Sequence, residues 1–375
     1  MPIVHRIAAF LLALACIPAG AAPLYSLHLL PADFTPAAIN DAGQVAGTWN
    51  GAAAIWSDAG IASLANIAPS SQGFGINDHG DVVGVVGSSY FGSPFADIGG
   101  KSVTIGGFPP DYVYSNATGI NNAGVVIGNA IPPVGEAVRG YVYDGTGVRM
   151  IGTFGGDAST AAAINNAGAV TGTAGLPDTN IADPLRHAYL YQDGVLHDLG
   201  TLGGLHSEGY DINDAGLVAG WSETALDPAG NAPSRPFLYR DGALVDLGSL
   251  GGDWGYARGL NNAGLVVGQS GLFADDHADA HGFLYRDGHL VDLNALTGGT
   301  DGWEIVDAYD INDAGQILGK ACRGGSGSSG SSCVGVRLDL VAAVPEPSIA
   351  LLLAAGVPAL LLRRRAARRP GSARH

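Results

Sequence analysis

One nine-residue phrase returns seven times along the chain. It reads INDAGQVAG from Ile39, INDHGDVVG from Ile76, INNAGVVIG from Ile120 and INNAGAVTG from Ile164. It then reads INDAGLVAG from Ile212, LNNAGLVVG from Leu260 and INDAGQILG from Ile311. Successive copies start 37, 44, 44, 48, 48 and 51 residues apart. A period of this size belongs to stacked or radially arranged repeats rather than to a single irregular core. Within each copy an apolar residue leads into Asn-Asp or Asn-Asn, a small residue and Gly, then a β-branched run. That is a strand, a tight turn and a strand. Asn bonds backbone amides two residues on. The first glycine supplies positive φ. The second, as at Gly47, allows close backbone approach or a bulge.

The clearest unit, residues 210–252, adds a second hairpin, RPFLYRDGALVDLGSLGG, whose turn is RDG. Two hairpins make four short strands, and four strands in 40 to 50 residues is the size of a β-propeller blade. The ends of the chain complement each other. An orphan strand LYSLHLL starts at Leu24, and the seventh unit ends with CVGVRLDLV from Cys333, one strand short of four. With strands labelled a to d and the INDAG turn joining a to b, the N-terminal strand takes the d position of the last blade. Both sheet edges then disappear. The expectation is an all-β, seven-bladed β-propeller of four-stranded blades, closed by its N-terminal strand. The alternative is an open β-solenoid, which needs no complementary ends.

The regions flanking the repeats read as addresses. Residues 1–21 carry a short basic n-region with Arg6, the apolar run IAAFLLALACIPAG, and Ala19-Gly20-Ala21 before the expected cleavage point. This is the pattern of a secretory signal peptide cut by signal peptidase. Cys16 raises a lipoprotein alternative, but Ala13 stands where a lipobox has Leu. The repeat body is assigned to 22–341. Residues 342–375 hold VPEPSIALLLAAGVPALLLRRRAARR, whose apolar run 349–362 is 14 residues long. As a helix it reaches about 21 Å, short of a bilayer core of about 30 Å. Flanking arginines can snorkel, and Arg363, Arg364 and Arg365 hold the tail on the cytoplasmic side. The formal charge is −16, and outside the two ends 11 basic residues face 33 acidic ones. Such a body repels nucleic acid. In an exported chain Cys322 and Cys333, in CRGGSGSSGSSC, are expected to pair as a staple across a hairpin loop.

Two resemblances add to this. Pro345-Glu346-Pro347, a short apolar helix and an arginine cluster together resemble a PEP-CTERM sorting signal. That resemblance implies an exosortase-type sorting enzyme as partner, a transmembrane helix inserted transiently, and a host that makes exopolysaccharide. The strands HAYLYQDGVLHDLGTLGG from His187, RPFLYRDGALVDLGSLGG from Arg235 and HGFLYRDGHLVDL from His281 resemble the extracellular HAF repeat family. That family implies a secreted β-repeat protein without a settled activity.

Cation binding by the Asn-Asp turns is disfavoured, because Asn122, Asn166 and Asn262 replace the Asp that calcium prefers. Up-and-down connectivity puts the a–b and c–d turns on one face. The b–c loops (175–186, 222–234, 270–280, 323–332) and the d–a links fall on the other. Long irregular loops carry function where anything does. The links GGDAST, GGLHSEGY, GGDWGYAR and GGTDGWEIV nominate Asp157, His206, Glu208, Asp253, Trp254, Asp301, Trp303 and Glu304 as the lining of a shallow central pocket. Trp with carboxylates suits sugars, while the competing reading packs these Trp rings between blades. Arg139, His187, Arg235 and His281 recur at the start of strand c and form either a polyanion-binding arc or local salt bridges. DDHADAH, residues 275–281, has ligand-type side chains in one loop, but no second cluster accompanies it, so no metal and no cofactor is expected.

No nucleophile elbow, zinc-protease helix or phosphate loop occurs. The expected function is non-catalytic: a protein of the cell surface or biofilm matrix whose propeller face binds glycan or protein. The alternatives are a glycan-cleaving enzyme using Asp253 with Asp301 or Glu304, and a structural adhesin working through protein contacts.

Overall fold

The computed structural model describes residues 24–341, apart from 65–66, 89–91, 134–136, 178–183, 229, 274–278, 299 and 325–331. The expected signal peptide 1–21, the expected sorting signal 342–375 and most of DDHADAH lie outside the described residues. Seven four-stranded antiparallel sheets follow one another, each in the order a-b-c-d. The protein is a seven-bladed β-propeller. The innermost strands are Phe34–Ile39, Ser71–Ile76, Tyr114–Ile120, Ser159–Ile164, Gly203–Ile212, Gly255–Leu260 and Glu304–Ile311, in blades 1 to 7. Besides strands there is a one-turn helix, Leu293–Leu296, whose first amides are capped by Asp292. No helix among the described residues is long and apolar enough to cross a membrane.

The repeated phrase builds each blade in the same way. Its first glycine sits at positive φ in every copy, from 73° at Gly43 to 83° at Gly168. The outer RDG-type turns place Asp193, Asp241 and Asp287 at φ of 52° to 53°, each before a positive-φ glycine. Two consecutive left-handed residues make the type I′ turn that matches strand twist. The second glycine answers a different need. A Cβ at Gly84 would lie 1.9 Å from the Gln72 carbonyl oxygen, and one at Gly220 would lie 2.0 Å from that of Glu208. Strand a bulges beside this position in all seven blades, as between Gly73 and Gly75. The core lies between neighbouring sheets. Ile127, Val142 and Ile151 of blade 3, for example, pack on Ala161, Val170 and Tyr189 of blade 4.

Blade 7 closes the ring as the sequence predicts. The N-terminal strand Tyr25–Leu29 pairs antiparallel with Ser332–Leu340, from Tyr25 opposite Leu340 to Leu29 opposite Val336. Tyr25 is 1% exposed and joins a core cluster with Leu293, Ile305 and Leu338. Arg337, in the same outer pair, crosses to blade 1. Its Nη2 lies 2.9 Å from Asp58, its Nη1 donates to the Gly43 carbonyl, and its guanidinium stacks on Trp56. Cys322 and Cys333 face each other across strands b and c of this blade and are joined by a disulfide, with Cα atoms 4.1 Å apart.

Candidate functional site

The sequence reading confines the Asn-Asp chemistry to the hairpin, and the structure extends it. Each first Asn accepts from amides of its own turn, as Asn121 Oδ1 does from Ala123 and Val125. Its Nδ2 donates to the carbonyl of the equivalent Asn in the next blade. The chain of donors runs Asn40, Asn77, Asn121, Asn165, Asn213, Asn261, Asn312 and back to Asn40, at 2.8 to 3.1 Å. A second ring lies outside it, in which the amide of each following residue donates to the side-chain Oδ1 of the next, from Asp41 to Asp78 and finally from Asp313 to Asp41. This explains a pattern in the seven copies. The first position needs a donor and an acceptor, which only Asn supplies. The second needs only an acceptor, so Asp and Asn both serve. The rings surround an axial mouth of about 170 Å³. Burial raises the Asp41 carboxyl, against the hydrogen bond from Asp313, and the charges of Asp78, Asp313 and Asp214 add to the rise.

Behind the mouth, strand a of each blade lines an axial cavity of about 240 Å³. Its wall is lopsided. Blades 1 to 4 contribute Ala37, Ala38, Phe74, Gly75, Thr118, Gly119, Ala162 and Ala163, whereas blades 5 to 7 contribute Tyr210, Asp211, Arg258, Tyr309 and Asp310. Asp211 accepts from Ile212 of its own blade and Leu260 of the next. Asp310 likewise accepts from Ile311 and from Ile39. Both carboxyls sit deep in the molecule yet keep part of their surface open to the cavity. Burial pushes both up, against the hydrogen bonds each accepts, and the charge of Asp310 adds to the rise at Asp211. Arg258 Nε stands 3.2 Å from Asp307 Oδ1, and its guanidinium lies over Tyr256 and Tyr210. Burial lifts Asp307 to about 6, against the pull of Arg258. The sequence reading passed over this cluster. Its signal was the residues just before the motif, EGYDIND, GYARGLNN and DAYDIND, where the other copies carry small or apolar ones.

On the b–c face a cleft of about 880 Å³ opens between blades 4 and 5. Asp157 and Glu208 line it together with Arg186, Leu176, Pro177 and Leu185. Arg186 Nε lies 2.9 Å from Glu208 Oε1, and the Tyr210 hydroxyl donates to Glu208 Oε2. Of the nominated residues, only Asp157 and Glu208 are in this lining. His206 is 3% exposed. Trp254 is 8% exposed, packed against Tyr256 and Gly271, and Trp303 is 8% exposed beneath the Arg323 guanidinium. Protein atoms therefore occupy the indole faces. Asp301 stands at positive φ with its carbonyl bound by Arg323, and Glu304 is exposed opposite Cys322. Asp253, whose carbonyl accepts from Ser234, is likewise outside the cleft lining.

The strand c cations are engaged locally. His187 Nδ1 lies 2.9 Å from Asp198 and His281 Nδ1 lies 2.7 Å from Asp292. Arg235 donates to the Gly252 carbonyl and Arg139 to that of Asp157. The hydrogen bond to Asp292 raises His281. For Asp292, burial acts upward, but hydrogen bonds from His281 and Asn294 outweigh it and hold the carboxyl below its ordinary value. The linkage has two signs. A raised His stabilises fully below its unfolded value of about 6.5, and that stability is lost as pH rises through the folded value. A depressed Asp stabilises above about 3.8, and that stability is lost as pH falls through its folded value. The pair therefore contributes most between those limits. His281→Gln should flatten the decline of melting temperature above pH 6.5, measured by differential scanning fluorimetry from pH 4 to 9. An unchanged slope would refute the assignment.

Comparison with known proteins adds little chemistry. A family model described as "Protein of unknown function (DUF3466)" matches residues 155–331. No curated protein matches the sequence. Among solved structures, YCF48 bound to D1 peptide is similar at 12% identity and TM-score 0.47, covering 87% of this chain and 97% of that one. A gluconolactonase from Xanthomonas campestris is similar at 12% identity and TM-score 0.40, covering 86% and 92%. A puromycin-hydrolyzing peptidase from Mycobacterium tuberculosis is similar at 11% identity and TM-score 0.42, covering 86% and 55%. These likenesses are too distant to bear on what the chain does.

Proposed function

We propose that this propeller is an exported, non-catalytic binding protein that holds a segment of exopolysaccharide in the cleft between blades 4 and 5. The supporting observation is the cleft itself. It sets the Arg186–Glu208 pair and Asp157 beside the apolar surfaces of Leu176, Pro177 and Leu185. Sugars present hydroxyls at their edges and carbon faces between them, and a concave site mixing a few fixed polar groups with apolar walls suits both. Export by signal peptidase, sorting through the PEP-CTERM-like tail by an exosortase-type enzyme, and residence at the cell surface or in the matrix follow from the terminal segments and the HAF-like strands. Catalysis is not part of the reading, because the cleft carboxylate Glu208 already accepts from Arg186 and Tyr210.

A glycan array screened with the purified protein should yield a retained polysaccharide whose chain length is unchanged after overnight incubation. Arg186→Ala should weaken retention about tenfold, equivalent to about 1.4 kcal/mol. Release of shorter chains would replace this reading with the glycan-cleaving enzyme. Capture of one surface protein without any glycan would replace it with the adhesin.

A further inference from the structure

The axial cavity offers a second, chemically different site. In a propeller the inner strand is an edge, so half of its backbone groups point toward the axis. The register identifies which ones. Asn77, Asn121 and Asn165 donate their amides to strand b, through Asp81, Val125 and Ala169. The residue before each, Ile76, Ile120 or Ile164, sits opposite Val82, Val126 or Val170 in a non-hydrogen-bonded pair. Its N–H therefore faces the axis. At the same position in the other four blades the amides of Ile212, Leu260, Ile311 and Ile39 are bound by the carboxylates of Asp211 and Asp310. Each carboxylate bridges its own blade and the next.

The positions equivalent to these Asp residues in blades 2, 3 and 4 are Gly75, Gly119 and Ala163, which bring no acceptor. The cavity thus has three backbone N–H donors on one side and two half-buried carboxylates on the other. The Arg258 charge is already shared with Asp307. Asp307 is 8% exposed, and its Oδ1 makes no hydrogen bond, despite the 3.2 Å approach of Arg258. An anion alone would meet the carboxylates, and a cation alone would leave the N–H donors unmatched. A molecule carrying both charges satisfies each wall, since backbone N–H groups in a concavity bind carboxylates as the chain's own Asp side chains do. We propose that the axial cavity binds a small zwitterion of the α-amino-acid type, its carboxylate on the amides of Ile76, Ile120 and Ile164 and its ammonium facing Asp211 and Asp310. Access runs through the mouth ring, because Ile76, Ile120 and Ile164 line both cavities.

The test is calorimetric titration of the protein with L-alanine, propionate and propylamine. L-Alanine should bind, and the other two should bind at least tenfold more weakly. Gly119→Asp should abolish L-alanine binding, because the new carboxylate copies Asp211 and bridges the Ile120 and Ile164 amides. A Cβ at Gly119 meets no backbone and comes nearest the Ile127 side chain at 3.3 Å, which must give by a few tenths of an ångström, so a cooperative melt of the variant is checked beside the titration. Asp310→Asn should independently weaken binding about tenfold. No heat with L-alanine, equal affinity for propionate, or full binding by both cavity variants would overturn the proposal.

Discussion

Deleting residues 24–30 should leave a chain with no cooperative unfolding transition. That segment supplies the fourth strand of blade 7 and buries Tyr25 and Leu30, which are 1% and 3% exposed. Its ends are tied to Leu296 and Gly335 by backbone bonds. Truncating one large buried aromatic costs about 3–5 kcal/mol, and a whole domain is stable by only about 5–15 kcal/mol. Removing the strand also exposes the edge Ser332–Leu340 to other chains. Tyr25→Ala alone should lower stability by about 3–5 kcal/mol, read from the urea midpoint at unchanged m-value. A deletion variant that melts cooperatively at the wild-type temperature would show that the ring is not closed by this strand.

Asn121→Ala should have the next largest effect. Asn121 is 4% exposed, accepts from Ala123 and Val125, and donates to the Asn165 carbonyl at 3.1 Å. Three bonds at about 1 kcal/mol each, plus buried groups left without partners, put the loss at about 2–4 kcal/mol. Asn121→Asp keeps the acceptor but sets a carboxylate against that carbonyl, so it should destabilise more at pH 7 than at pH 3. By contrast, Asn122→Asp keeps the Oδ1 that receives the Asp78 amide. It loses the donation to the Asp78 side chain and sets a carboxylate beside that of Asp78, a repulsion that solvent and salt screen at this exposed position. Its cost should be well below that of Asn121→Ala in the same urea titration. Equal losses at 121 and 122 would contradict the division of roles between the two rings.

The blade count and the closing strand could be read from the sequence because both rest on local patterns. Turn glycines, alternating strands and an unmatched strand at each end specify blades whatever surrounds them. The second glycine was legible for the same reason, as one short-range clash with the strand a carbonyl. The Asn ring was only half legible, since its turn bonds are local while its other bonds cross 37 to 51 residues to the next blade and 272 to close the circle. The axial cluster escaped because it appears only when three distant strands meet. Asp211 and Asp310 look like ordinary strand residues until the bulge turns them to the axis. The indoles at Trp254 and Trp303 left two readings open, a sugar platform or packing, because sequence does not show which neighbours reach a ring face. Both rings are 8% exposed against partners of their own blades.

The binding face is tested most directly by hydrogen exchange of the protein with and without the polysaccharide it retains. Protection is expected at residues 155–160, 173–177, 184–186 and 208, with the turns at 40–41, 77–78 and 121–122 unchanged. Protection confined to those turns, with none in the cleft between blades 4 and 5, would contradict the assignment of the ligand to that face.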